Sequence, residues 1–243
     1  MNPIRIEDYS KIVFLTGAGI SVASGLRPYR GPGGIWNEQE LASRATAAAL
    51  HQDPVASWQT FAPLRQRAAA AKPNAAHQAI ADFQARDHSC WVCVLTQNVD
   101  GLHQRAGTTG VFEMHGSIHR TRCLDPTCPQ KPFEDDYCDL NQPPGCPTCG
   151  GLCRFDVVLF DEYLPPVAPM ALRVAMEDCQ LFIAVGTSGL VMPAAGLVHQ
   201  ARDQGARTIL VNLEAHEAQN PDFDEVYLGR AEELLPALLG CGV

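Results

Sequence analysis

Four short apolar runs stand out along the chain, each bounded by polar or glycine residues. They span Lys11–Thr16, Cys90–Thr96, Leu181–Gly186 and Thr208–Asn212. Continuous apolar runs of this length are typical of strands that are buried on both faces of a parallel sheet. Alanine-rich stretches at 74–83 and 194–204 lie between the runs and predict helices. Strands that alternate with helices predict an α/β fold with a doubly wound parallel sheet.

Two segments interrupt this alternation and predict a second, smaller domain. Residues 27–72 show no strand pattern; they begin with a loop that contains glycine and proline and continue as helices around Trp58. Residues 120–155 hold a group of cysteines and many prolines. We therefore expect a helical module in the first segment and a cysteine module in the second. The predicted sheet domain comprises residues 1–26, 73–119 and 156–243.

Composition and charge narrow the class of protein. The chain has 243 residues, of which 46% are apolar and 19% charged, as in soluble globular proteins. It has no apolar run long enough to span a membrane and no signal-peptide pattern at its start, so we expect a cytoplasmic protein. The formal net charge of −9 disfavours direct binding of nucleic acid, which needs a basic surface. It is compatible with a cationic partner such as a lysine-bearing peptide.

Four of the ten cysteines form two closely spaced pairs. Cys-x4-Cys followed by Cys-x2-Cys is the spacing of a zinc ribbon, and the predicted zinc ligands are Cys123, Cys128, Cys146 and Cys149. Four thiolates close the coordination shell, so we expect the Zn²⁺ to be structural. Cys138 and Cys153 lie nearby in the sequence, and either could replace one of the four. Cys90 and Cys93 have an odd offset on a predicted strand, which places them on opposite faces as core residues.

The turn after the first strand contains Gly17, Ala18 and Gly19, and two interpretations of it stay open. Glycines at the start of a helix let the backbone approach a phosphate group. Many turns of this kind carry two glycines for steric reasons only. A Rossmann fingerprint would need a glycine at position 22, which is Val22 here.

Polar side chains follow the second strand, at the end where ligands bind in open α/β sheets. Gln97, Asn98 and Asp100 predict a ligand site there, although a loop closed by an Asx turn would also explain them. His115 is the candidate general base, because a histidine titrates near neutral pH and this one precedes the cysteine module. Three other histidines, His77, His103 and His119, are alternative candidates for the base by residue type alone. We expect His77 to have a structural role.

Together these motifs resemble those of the sirtuin family, the NAD-dependent protein-lysine deacylases. The similarity runs in the right order over nearly the whole chain, in the layout of a bacterial-type sirtuin close to the class III group. The matching stretches are 17–25, 29–31, 73–77, 96–103, 115–116, the four cysteines, 157–160 with Glu162, 186–188 and Asn212.

The resemblance implies a Rossmann-like domain, a smaller domain made of a helical module and a zinc ribbon, and NAD in the cleft between them. It makes His115 the catalytic base and gives catalytic roles to Asn98, at the nicotinamide ribose, and Asp100, at the nicotinamide carboxamide. The implied NAD-binding residues are Gly17, Ala18, Gly19, Ser24, Tyr29, Arg30, Gln97, Asn98, Asp100, Gly186, Thr187, Ser188, Asn212 and Arg230. An acylated-lysine protein or peptide would add as a strand beside Val157, Val158, Leu159 and Phe160.

In the family's mechanism the acyl oxygen attacks C1′ of the nicotinamide ribose and expels nicotinamide. The histidine then deprotonates a ribose hydroxyl, which attacks the imidate carbon, and the products are free lysine, nicotinamide and O-acyl-ADP-ribose. Zinc takes no part in these steps. Two other functions stay open, namely protein mono-ADP-ribosylation and NAD sensing without catalysis. We expect the chain to act as a monomer.

The chain departs from the family pattern in the acyl pocket. Desuccinylating sirtuins bind the acyl carboxylate with a Tyr-x-x-Arg pair, which falls here on Phe61 and Leu64. Ala45 falls where that subfamily has a small residue that widens the pocket. A buried carboxylate without a partner is unfavourable, so we expect neutral acyl groups, from acetyl to longer chains, and poor activity on succinyl- or malonyl-lysine. Arg65 stands one position away, and a local helix shift could bring it into the pocket.

Two loop motifs differ as well. The family's Pro-Asp-Phe-Arg is Arg27-Pro28-Tyr29-Arg30 here, which keeps the aromatic residue and the arginine. Its Phe-Gly-Glu is Phe160-Asp161-Glu162, a change that could alter peptide docking.

Overall fold

The computed structural model describes residues 3–29, 33–87, 89–137, 139–187, 192–214 and 220–241. Three candidate site residues, Arg30, Cys138 and Ser188, lie outside these ranges. The strands are β1 (Lys11–Thr16), β2 (Trp91–Thr96), β3 (Val111–Glu113), β4 (Gly116–Cys123), β5 (Phe133–Glu134), β6 (Cys153–Val157), β7 (Leu181–Val185), β8 (Arg207–Asn212) and β9 (Glu225–Leu228). The helices are α1 (Gln39–Arg44), α2 (Ala47–Gln52), α3 (Pro54–Ala70), α4 (Ala75–Arg86), α5 (Leu102–Arg105), α6 (Ala168–Met176), α7 (Ala194–Asp203) and α8 (Ala231–Leu238). Short 3-10 segments span Ile6–Asp8, Ala18–Ser24 and Ile35–Asn37.

The main sheet has six parallel strands in the order β3-β2-β1-β7-β8-β9. The first strand, β1, lies in the middle of the sheet. Strands β2 and β3 extend the sheet to one edge, and β7, β8 and β9 extend it to the other. This is the strand order of the doubly wound fold, so the predicted fold class is confirmed. Phe14 of β1 lies in register between Val94 of β2 and Ile183 of β7.

Helices cover both faces of this sheet because its central strands are apolar at successive positions. Ile12 and Phe14 belong to the core that includes residues of α4 and α8, whereas Val13 and Leu15 belong to the core that includes residues of α6 and α7. All four side chains are at most 3% exposed. Cys90 and Cys93 belong to opposite cores, as their spacing predicts. In the ranges given above, no helix is both long and apolar enough to cross a bilayer.

All four predicted strands are present, but the apolar pattern does not predict the edge strands β3 and β9. Both are short and mostly half-buried, so they lack a continuous apolar run. The helix expected after β1 is present as a 3-10 segment over Ala18–Ser24. That segment ends at Gly25, whose φ of 85° lies in the left-handed region that favours glycine.

A second core joins the two interrupting segments. Helices α1 to α3 pack on a three-stranded antiparallel sheet in the order β5-β4-β6, and we call these elements the small unit. Trp58 of α3 stacks on Phe155 of β6 with ring centroids 4.0 Å apart. The Trp58 indole N–H donates to the carbonyl of Asp139 at 2.7 Å. The predicted limit between residues 119 and 120 falls within β4.

Arg65 binds α3 to the strands of the small unit. Its Nε donates to the carbonyl of Ile118 at 2.7 Å, and Nη2 donates to Thr121 Oγ1 at 2.8 Å. Its Nη1 pairs with the carboxylate of Asp135 at 2.5 Å. A one-residue step along an α-helix turns a side chain by about 100°, so Arg65 points to these strands while Leu64 lines the cleft described below. The helix shift that would bring Arg65 into the acyl pocket is absent.

Candidate active site

Two glycine-containing turns meet at the carboxyl ends of β1 and β7, where the strand order reverses. Gly17 N–H donates to the Val185 carbonyl at 3.0 Å, and Gly19 N–H donates to the Gly186 carbonyl at 2.8 Å. A Cβ on Gly19 would lie 2.6 Å from the Cα of Gly186. The two glycines are therefore explained by this close contact between turns, and their own amides are already used within the protein.

A cleft of about 1260 Å³ opens over these turns and extends to the small unit. This volume exceeds the roughly 300–1,000 Å³ of most small-molecule sites, so it has room for a dinucleotide together with a second substrate. The predicted residues that line it on the nucleotide side are Gly17, Ala18, Gly19, Tyr29, Gln97, His115, Gly186, Thr187, Asn212 and Arg230. Those that line it on the acyl side are Ala45, Phe61, Leu64, Val157, Val158, Leu159 and Phe160. Three further predicted residues, Ser24, Asn98 and Asp100, are described but do not line the cleft.

These three residues take part in hydrogen bonds behind the cleft wall. Asn98 Nδ2 donates to the Gly17 carbonyl at 3.0 Å and to Ser21 Oγ at 3.2 Å. Ser21 Oγ in turn donates to Asp100 Oδ2 at 2.7 Å. Ser24 Oγ accepts from Asn74 Nδ2 at 3.0 Å. Ser21 could not be identified from the sequence, because a buried serine in a short 3-10 segment has no distinctive pattern.

His115 is the one histidine among the described residues that lines the cleft. Its Nδ1 lies 2.9 Å from the carbonyl oxygen of Gln97. Because a carbonyl only accepts, Nδ1 carries the proton and Nε2 is left with a free lone pair. Burial lowers the pKa of His115 below 6.5, and the hydrogen bond to Gln97 acts in the opposite direction. The ring is therefore neutral near pH 7 and able to accept a proton at Nε2.

The rival histidines occupy structural positions. His77 completes a capping box at the start of α4 with Asn74, which matches the structural role expected for it, and burial lowers its pKa to about 4. His103 is 1% exposed and contacts Thr16 Oγ1 at 2.9 Å; burial lowers its pKa to about 3. His119 Nε2 donates to the carbonyl of Asp100 at 3.0 Å.

Aromatic side chains form an apolar wall of the cleft. Tyr29 stacks on Trp36 with ring centroids 5.4 Å apart, and Trp36 meets the edge of Phe160 at 5.3 Å. Phe61 and Leu64, at the positions of the carboxylate-binding pair, are both apolar and line the same cleft.

The segment 157–160, expected to receive a peptide, is already paired along one side. Phe160 N–H donates to the Ala45 carbonyl at 2.9 Å, and Ala47 N–H donates to the Phe160 carbonyl at 3.0 Å. Val158 N–H donates to the His115 carbonyl at 2.9 Å. An added strand would therefore have to use the opposite side of this segment, where Leu159 N–H already donates to Glu162 Oε2 at 2.8 Å.

The four predicted zinc ligands come together at the end of the small unit. Their sulfur atoms all lie within 4.8 Å of one another. Cys123 Sγ is 3.6 Å from Cys149 Sγ, and Cys128 Sγ is 3.8 Å from Cys146 Sγ. Zn–S bonds of about 2.3 Å in a tetrahedron place sulfurs about 3.8 Å apart, whereas a disulfide would need about 2.05 Å. The cluster therefore fits a structural Zn²⁺, and Cys153 is not a member of it.

The fold and site define a doubly wound α/β protein with a ligand cleft at its switch point and a thiolate metal cluster. A family model described as "Sir2 family" matches residues 17–193. The chain therefore belongs to the Sir2 family, the sirtuins, as its motifs predict.

Individual relatives cover almost the whole chain. The chain is 41% identical over 232 residues to "NAD-dependent protein deacylase 2" of Pyrobaculum aerophilum, covering 93% of this chain and 89% of the relative. A solved Sir2 homolog–NAD complex superposes with a TM-score of 0.86 at 34% identity, covering 97% and 90% of the two chains. A solved complex of Sir2 with a p53 peptide and NAD⁺ gives a TM-score of 0.78 at 27% identity, covering 98% and 95%.

Proposed function

We propose that this protein is an NAD-dependent protein-lysine deacylase that transfers the acyl group to ADP-ribose. The observation that carries the proposal is the position of His115, whose unprotonated Nε2 belongs to a ring lining the cleft between the two glycine turns and the apolar wall. A protein that only sensed NAD would need no such base. The names of its relatives and their complexes with NAD and a peptide support the same activity.

The nucleotide side of the cleft suits NAD. Gln97 lines the cleft and donates through Nε2 to Thr187 Oγ1 at 2.9 Å, and we assign it to the nicotinamide ribose. Asn98 and Asp100 stand one layer behind, and we assign them the task of fixing the turn at Gly17 and Ser21. Asn212 and Arg230 also line the cleft, and we assign them to the remainder of the dinucleotide.

His115 would act on the ribose hydroxyl that attacks the acyl carbon. Its tautomer is fixed by the Gln97 carbonyl, so the proton is accepted at Nε2 and the ring becomes an imidazolium that this carbonyl stabilises. The thiolate cluster has no open coordination position for a reacting group. We therefore assign zinc to the structure of the small unit, which supplies the acyl side of the cleft.

The acyl side favours neutral groups. Phe61 and Leu64 offer no hydrogen bond to a carboxylate, and Arg65 is held by Asp135 and Thr121 on the other side of α3. A succinyl carboxylate would lose its hydration without gaining a partner. We propose acetyl and longer neutral acyl groups as substrates, carried by a peptide that lies along segment 157–160.

The test is mass spectrometry of one peptide series, with acetyl-, octanoyl-, myristoyl- and succinyl-lysine, incubated with NAD. We expect free lysine and O-acyl-ADP-ribose from the neutral acyl peptides and little product from the succinyl peptide. His115→Ala should lower turnover by about 10²- to 10⁴-fold while zinc content stays unchanged.

Other products would contradict the proposal in distinct ways. ADP-ribosylated protein without deacylation would indicate a mono-ADP-ribosyltransferase, and NAD binding without turnover would indicate a sensor. A preference for succinyl-lysine would overturn the proposed acyl selectivity while leaving the deacylase in place. Equal turnover by His115→Ala would overturn the role of the base.

A further inference from the structure

Asp161 is an exposed carboxylate at the end of the proposed peptide segment. It lines the cleft directly after Phe160. Its φ of 67° lies in the left-handed region, which is uncommon for residues other than glycine, asparagine and aspartate. The backbone at this position is therefore compatible with glycine, yet the chain places a charge there.

The neighbouring charges do not neutralise Asp161. Glu162, the next residue, receives hydrogen bonds from Arg154 Nη2 at 3.0 Å and from Leu159 N–H at 2.8 Å. Arg230, a cation on the nucleotide side of the cleft, lies 3.9 Å from Glu232. Within the described ranges, the carboxylate of Asp161 has no ion pair or hydrogen bond.

We propose that Asp161 selects peptides with a lysine or arginine beside the acyl-lysine. The inference rests on the proposed deacylase function and names a substrate class for it. Phe160 is paired to Ala45 and Ala47 on one side. A peptide bound in the cleft along segment 157–160 would therefore pass the end of that segment, where Asp161 lines the cleft. A cationic flanking side chain gains an ion pair there, and an acidic one is repelled.

The expected size of the peptide preference follows from the exposure of the Asp161 carboxylate. Ion pairs between exposed groups contribute modestly, so we expect catalytic efficiency to differ by about two- to fivefold between lysine-flanked and alanine-flanked peptides. A glutamate-flanked peptide should be the poorest of the three. The preference should weaken as salt is added, because exposed charges are screened.

The chain offers a matched control variant. Asp178 is also exposed and also has a left-handed backbone, with a φ of 56°, but it does not line the cleft. Asp161→Asn and Asp178→Asn make the same change of shape and charge in the same backbone conformation, and asparagine tolerates that conformation. Any general effect of net charge or of stability should therefore appear in both variants.

The experiment measures kcat/KM for three acetyl-lysine peptides that differ only in flanking lysine, alanine or glutamate. The same peptides, fluorescently labelled, are titrated by anisotropy so that binding is measured without turnover. We expect the lysine preference in the wild type and in Asp178→Asn, and its loss in Asp161→Asn. Equal binding of the three peptides by the wild type, or an unchanged preference in Asp161→Asn, would overturn the inference. Charge-selective binding without deacylation would instead overturn the proposed function.

Discussion

The main sheet and the small unit are stabilised in different ways. The strands β1 and β7 are buried at nearly every position, and apolar cores cover both faces of the sheet they form. The small unit has a smaller aromatic core around Trp58 and Phe155, with a thiolate cluster at its end and Arg65 in its centre. Hydrophobic burial explains the stability of the main sheet, whereas the stability of the small unit depends on a metal and on buried polar bonds. The cleft has one wall from each region, so a defect in either should have a distinct effect on activity.

Loss of zinc should give the largest difference in stability between the main sheet and the small unit. Metal binding contributes about 10–16 kcal/mol in small zinc-folded modules, so Cys146→Ser or chelation should unfold the small unit and abolish activity. Hydrogen exchange followed by mass spectrometry should show lost protection in β4 and β6 and retained protection in β1 and β7.

Cys153→Ala is the control for that experiment. Cys153 is buried beside the cluster but is not one of its four ligands, so this variant should keep its zinc, as measured by metal analysis. Zinc loss from Cys153→Ala equal to that from Cys146→Ser would show that the assigned ligand set is wrong. Equal loss of protection in the main sheet and the small unit would show that the two regions do not differ in their dependence on the metal.

Removal of Arg65 should have the next largest effect. Arg65→Met leaves the carboxylate of Asp135, which is 14% exposed, without its buried partner. Breaking a buried pair in this way costs about 3–5 kcal/mol. We expect this loss in urea denaturation followed by tryptophan fluorescence, to which Trp58 of the same unit contributes together with Trp36 and Trp91.

Two further variants separate charge from packing. Arg44→Met removes an exposed pair with Glu40 in the same unit and should cost at most about 1 kcal/mol. Adding Asp135→Asn to Arg65→Met should recover part of the stability, because no unpaired carboxylate remains. A loss no greater for Arg65→Met than for Arg44→Met would contradict a central role for the buried pair.

The same contrast explains what could be predicted from the sequence. The central strands and the cysteine pairs were predictable because each follows a local pattern, either a continuous apolar run or a fixed ligand spacing. The direction of Arg65 was left open because it depends on the rotation of α3 relative to β4, which no local pattern sets. Ser21 and the edge strand β3 acquire their surroundings only when distant segments meet. For Gly17 and Gly19 the steric interpretation explains the glycines, since Gly186 lies against them.

The smallest expected effect is a shift in pH dependence, and it tests whether the small unit sets the environment of His115. Burial favours the neutral ring, so the pKa of His115 lies below 6.5. Catalytic efficiency should therefore be level near pH 7–8 and fall only below pH 6.5, as the ring takes up a proton. The same shift makes the folded protein less stable as the pH falls below 6.5, because the unfolded chain binds a proton that the folded chain does not.

Arg65→Met sharpens this test without touching His115. Arg65 donates to the carbonyl of Ile118, a residue that lines the cleft with His115. If the variant loosens this wall and admits water, desolvation decreases and the midpoint of the pH–activity profile should move upward toward 6.5. Arg44→Met, on the surface of the small unit, should leave the midpoint unchanged. A wild-type midpoint at or above 6.5 would contradict the buried neutral base. The same midpoint in wild type and Arg65→Met would show that the bond from Arg65 to Ile118 does not set the environment of His115.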